Sequence, residues 1–178
     1  MHPSLPETGG GAPGRGEKMA GHTGNRILDE LPQSTHPAFR KKLVELPVGT
    51  RVVSQGQRIT SVFFPTTAVC SLVIELASGD KAETAAVGRD GFVGVVAILG
   101  TFVSHSSGVI QVAGAGYRMQ VREVLEYCRQ HDAFRKALFG YAAFKLQLAS
   151  RSVACNSYHS IAQRLARWLL FAQDRAMA

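Results

Sequence analysis

The chain contains no run of about 18 or more apolar residues, so no segment suits a membrane-spanning helix. It lacks the apolar N-terminal core of a signal peptide, and a cytoplasmic protein is expected. Cysteine is scarce: Cys70, Cys128 and Cys155 stand far apart, with no CxxC pair and no Cys/His cluster. Zinc and iron–sulfur sites are therefore not expected, and the three thiols read as small apolar groups in a core. The β-rich middle of the chain holds one histidine, His105. A metalloenzyme on a jelly roll would need several histidines and a carboxylate on adjacent strands. No G-x-S-x-G elbow surrounds Ser71 or Cys70, and "GRDGFVG" is neither GxGxxG nor a P-loop. No catalytic residue and no metal site is assigned, no cofactor is named, and the chain does not read as an enzyme. Acidic residues are also few. Asp and Glu number 13 against 20 Lys and Arg, a formal charge of +7. Nine basic and four acidic side chains fall in residues 121–178, so the excess sits in the C-terminal third. Such an imbalance suits a polyanionic partner near that end, or a solvated helix surface.

What is present divides into zones within 178 residues, a length for one domain with an appendage. Residues 1–24 are rich in Gly and Pro and are expected to form a disordered tail. "NRILDELPQ" and "HPAFRKKL" predict short helices. From residue 43 to about 119, Val, Ile, Phe and Thr are broken every few residues by Gly or Pro, which predicts an all-β sandwich or barrel. "PVG" and "SQGQ" are turn candidates, and "LASGDKAE" carries a hairpin signal. "VREVLEYCRQ" predicts an amphipathic helix. A longer helix is expected over residues 132–156, with Asp132 as N-cap and Asn156 as its end. Phe134, Leu138, Tyr141, Leu148, Ser152 and Cys155 recur at helical spacing, and this stripe is the expected homodimer interface. Ser160 and Gln163 stand in capping-box spacing before a last helix whose apolar face is Ile161, Leu165, Trp168, Leu169 and Ala172. The fold class is α+β.

Two stretches carry a resemblance. "LPVGTRVVSQGQRITSVFFPTTAVCSLVI" resembles the opening of a cyclic-nucleotide-binding-type β-roll, with Gly49 and Gly56 at its turn glycines and Phe63 and Phe64 on its central strand. "CNSYHSIAQRLARWLLFAQDR" resembles the hinge and following helix of Crp/Fnr-type transcriptional regulators. The resemblance spans roughly residues 25–175. It implies a double-stranded β-helix jelly roll as sensory domain over residues 25–131, flanked by short N-terminal helices. It further implies a dimerisation helix over 132–156, and the first helix of a winged helix-turn-helix domain over 157–178. DNA would be bound only through the remainder of that last domain, which lies outside this sequence; a shortened chain or a naturally short homologue is expected. A small-molecule effector is implied, without its identity. An iron–sulfur sensor of the Fnr kind would need cysteines near the N-terminus, where there are none. The rival expectation is a stand-alone binding module without DNA-binding activity.

In cyclic-nucleotide binders of this type a Phe-x-Gly-Glu opens the phosphate cassette, and an Arg closes it. Here Phe92-Val93-Gly94 match the opening, but Val95 occupies the Glu position and His105 falls about where the Arg would be. A charged hydrogen-bond partner is worth roughly 1.5–3 kcal/mol, so loss of both weakens binding by about two to four decades. Cyclic AMP is therefore not expected to bind by the usual geometry. The glycines Gly88, Gly91 and Gly94 read first as turn-formers. If a ligand enters, Gly94, Val95, His105, Ser106 and Ser107 are the expected contacts, with Lys145 reaching in from the long helix.

Overall fold

The computed structural model describes residues 22–176. The expected tail lies outside the described residues as far as position 21. Its last three residues do not: Thr23 is buried, and its backbone N–H and hydroxyl both donate to Asp29 Oδ1, at 2.6 and 2.7 Å. The neighbouring Asn25 is fully buried and sets the local shape. Its Oδ1 accepts the N–H groups of Ile27 and Leu28. "NRILDELPQ" forms 3-10 turns at Leu28–Glu30 and Gln33–Thr35 instead of the single helix expected. Helix α1, His36–Arg40, follows.

Seven strands come next: β1 Leu43–Leu46, β2 Arg51–Val53, β3 Ser61–Pro65, β4 Val69–Glu75, β5 Lys81–Val87, β6 Ser107–Val112 and β7 Gly114–Gln120. They form two antiparallel sheets, in the orders β1-β7-β3 and β2-β6-β4-β5. Gly49 and Gly56 take φ of 83° and 76° at the turns before and after β2, which side chains with a Cβ rarely adopt. The predicted hairpin closes between β4 and β5, where Leu76 N–H donates to Asp80 O at 2.8 Å. β3 is buried along its whole length, as its run of Val and Phe requires. Cys70 and Cys128 are buried as small apolar groups, and the Cys70 thiol is pushed up to about 12 by burial, with Lys145 pulling it down and Glu83 raising it.

Helix α2, Val95–Ile98, interrupts the strands between β5 and β6. Helix α3, Val121–Gln130, opens on a capping box that its sequence did not announce. Glu123 Oε2 accepts the Gln120 N–H at 3.0 Å while the Gln120 side chain accepts from the first turn. Helix α4 spans Asp132–Tyr158 and α5 spans Ile161–Ala176. Asp132 does not cap α4. The cap position falls on His131, and Asp132 sits in the first turn, paired with Arg135 and Lys136. Nor does the helix stop at Asn156. It runs to Tyr158 and ends where His159 turns extended. Ser160 and Gln163 form the expected box at the head of α5, with Ser160 N–H donating to Gln163 Oε1 at 2.9 Å.

The core joins the first turns of α4 to both sheets. The Phe64 ring stacks on Phe92 at 5.5 Å and lies 6.4 Å from Phe134, and all three are fully buried. Phe134, Leu138 and Tyr141, expected on a dimer face, are thus buried in their own chain. The reason is packing: the open end of the roll presents Phe64 and Phe92, and the nearest apolar stripe of α4 covers them. Tyr141 presses so close that a Cβ on Gly91 would lie 2.2 Å from its ring. Gly91 is therefore a close-approach glycine. Gly94, at φ 107°, is the left-handed residue that leads into α2.

Candidate functional site: an apolar cavity between roll and long helix

A cavity of about 430 Å³ lies between the β4–β5 sheet, the α2 segment and α4. Alternation along β4 turns Leu72 and Ile74 to one face, and both line it. Thr84 and Ala85 of β5 continue that wall, and Phe92 to Val96 form a second. Helix α4 closes the third side with Ala142, Lys145, Leu146, Leu148 and Ala149. The cavity opens beside Leu99 and Leu146, which are both exposed. Its size is that of a small-molecule site, which typically spans about 300–1,000 Å³ and is mostly apolar.

The structure brings five of the six expected ligand residues to this cavity: Gly94, Val95, His105, Ser106 and Lys145. Ser107 is not among the lining residues. It opens β6, and its hydroxyl accepts the Gln55 N–H at 3.1 Å. Ser104 is occupied locally, its hydroxyl donating to Ser106 O at 2.6 Å. No Asp or Glu lines the cavity, and its basic side chains are His105 and Lys145, whose Nζ is buried. The walls from Leu72, Ile74 and Leu146 were missed from the sequence. The alternation Cys70, Leu72, Ile74 carried that signal for β4.

Leu148 and Ser152, expected at a dimer interface, face this chain's own neighbours. Leu148 lines the cavity and, with Ser152, a second groove of about 620 Å³ between β5, α4 and α5. There Ser152 Oγ accepts from Arg167 at 3.3 Å, and the Trp168 indole N–H donates to Glu83 at 3.4 Å. Cys155 is half-buried. Trp168 is half exposed rather than core, and Ile161, Leu165 and Leu169 of the α5 face are exposed as well.

Two rolled antiparallel sheets, a short helix led by a left-handed glycine, and a long helix leaving the roll define the cyclic-nucleotide-binding fold of Crp/Fnr-type regulators. Solved structures agree. A transcriptional regulator of the crp/fnr family from Eubacterium rectale superposes with a TM-score of 0.69 at 9% identity, over 86% of this chain and 73% of that one. The c-di-GMP responsive global regulator CLP of Xanthomonas campestris gives 0.65 at 14%, over 78% and 70%. The catabolite activator protein of Thermus thermophilus gives 0.60 at 15%, over 74% and 62%. At these identities the likeness establishes the fold. No family model and no curated protein sequence matches the chain. Among the described residues no helix is long and apolar enough to cross a membrane.

Proposed function

We propose that the chain is the sensory and dimerisation portion of a Crp/Fnr-type transcription regulator whose effector is not cyclic AMP. One observation supports this reading: the cavity between roll and α4 is lined by five of the six residues expected to meet a ligand, yet lacks the charge pattern of a cyclic-nucleotide site. Val95 stands at the start of α2, and no carboxylate lines the cavity to take a ribose hydroxyl. His105 and Lys145 are the basic side chains there, within mostly apolar walls. A compact apolar effector suits such a site. Because α4 forms one wall, an occupant that favours one position of α4 shifts the population of the dimer and of whatever α5 leads into. The protein acts by binding, in the cytoplasm, as a homodimer, and reaches DNA only through a domain beyond α5.

Thermal melting with cyclic AMP tests the reading. The wild-type chain is expected to show no shift at about 1 mM nucleotide, since a ligand raises stability only as its concentration passes Kd. The double variant Val95→Glu, His105→Arg restores both anchors and is expected to gain about two to four decades in affinity. A wild-type shift at micromolar cyclic AMP would overturn the proposal. The rival reading, a stand-alone module, predicts that the chain extended by its natural downstream sequence, if any, still fails to retard DNA.

A further inference from the structure

A second cleft, of about 190 Å³, opens where β2, the β2–β3 connection, β3 and β7 meet. Arg51, Arg58 and Arg118 all line it, and no Asp or Glu does. They come from distant positions: Arg51 opens β2, Arg58 follows the Gly56 turn, and Arg118 pairs with Phe63 across β3 and β7. Among the described residues none of the three takes part in an ion pair. Two are held by aromatic faces instead. The Arg58 guanidinium lies 5.0 Å over the Phe102 ring, and that of Arg118 5.6 Å over Phe63. Arg118 Nε also donates to Ser61 Oγ at 3.3 Å. These contacts fix each planar group by its face or inner nitrogen and leave its terminal N–H fork available.

From this arrangement we propose that the arginine cleft binds a phosphate-class oxyanion, at a site separate from the apolar cavity. Three like charges in one cleft repel one another, and an anion between them removes that repulsion. The forks decide the class of anion. A carboxylate carries one negative charge and two oxygens, and one arginine fork saturates it. A phosphoryl monoester brings about −1.5 to −2 charge and three acceptor oxygens, which suits three forks. Ser54 and Thr60 add hydroxyls to the same cleft. The space holds a phosphoryl group and the first atoms of whatever it esterifies, so free phosphate and a phosphate ester share the recognition chemistry. The apolar cavity lies immediately behind, since Val53 and Ile59 line both.

The test is calorimetric titration, backed by melting, of the whole chain with inorganic phosphate and with phenyl phosphate. Potassium chloride at matched ionic strength serves as control. Wild type is compared with Arg51→Gln, Arg118→Gln and Arg118→Lys. Phosphate is expected to bind and to raise the melting temperature beyond the chloride control. Each Gln variant should weaken binding about tenfold or more, and Arg118→Lys, which keeps the charge but not the fork, should fall between. Tighter binding of phenyl phosphate identifies an ester as the occupant, and preference for inorganic phosphate identifies the free anion. Arg51 is exposed and makes no hydrogen bond through its side chain among the described residues, so its variant keeps the test valid if Arg118→Gln does not fold. The proposal falls if chloride at equal ionic strength gives the same shift, or if the Gln variants hold phosphate as tightly as wild type.

Discussion

Asn25 ties the N-terminal turn to the glycine segment through one buried carboxamide. Its Nδ2 donates to Pro65 O at 2.8 Å and to Gly91 O at 2.9 Å, while Oδ1 accepts from Ile27 and Leu28. Truncation to Ala strands two buried carbonyls and two N–H groups. Unsatisfied buried groups cost about 1–3 kcal/mol, so Asn25→Ala is expected to lose at least that much in urea unfolding. Asn25→Asp keeps the acceptor but puts a charge where donors to Pro65 and Gly91 are needed, and is expected to fare no better. None of this was legible beforehand. A polar residue after a Gly-rich stretch reads as a turn, and its partners lie 40 and 66 residues away. The resemblance marks Val95 and His105 as the positions where the anchors would stand, and both line the cavity. The arginine cleft was hidden for a different reason. Residues 59–120 carry slightly more acid than base, and no count along the chain shows that Arg118 folds beside Arg51 and Arg58.

At the scale of elements, α3 shows how one side chain serves two purposes. Glu123 closes the capping box and also pairs with Lys42, whose residue lies just before β1. The hydrogen bond from Lys42 chiefly holds the Glu123 carboxyl below its ordinary 4.5, helped by the Gln120 N–H, with partial burial opposing. A carboxyl depressed by folding contributes stability that is present above its unfolded pKa and is lost as pH falls through its folded pKa. Glu123→Gln retains an acceptor for the cap but not the charge. Its melting temperature is therefore expected to lie below wild type at pH 7, and the gap is expected to close as pH falls below about 4. A gap that stays constant from pH 7 to pH 3 would rule out the carboxylate charge as its source. Periodicity revealed α3, α4 and α5 with nearly the right bounds, because helical spacing is a property of the chain alone. It could not say which stripe of α4 turns inward. That choice belongs to Phe64 and Phe92, which recruit Phe134 and Tyr141 from another part of the sequence.

For the whole molecule, we propose a dimer face on a different row of α4 from the one expected. With Phe134, Leu138 and Tyr141 buried, α4 presents a different row outward: Phe139, Ala143, Leu146, Ser150 and Val153. These recur at alternating fours and threes, the spacing of a coiled-coil seam. Phe139 is 46% exposed, Leu146 70% and Val153 68%, an apolar row that a partner helix would cover. A second copy related by a two-fold axis would present the same row and cover it. The test is sedimentation of the wild-type chain against Leu146→Glu and Val153→Glu. Both sites are exposed in the single chain, so each variant should keep its far-ultraviolet dichroism while shifting from dimer to monomer at micromolar concentration. Leu138→Ala is the opposing control. It removes a fully packed side chain and is expected to cost about 2–5 kcal/mol in unfolding without a direct effect on association. If the wild-type chain sediments as a monomer at high concentration, or the Glu variants remain dimers, the seam is not an interface and the regulatory reading loses the element that joins its two halves.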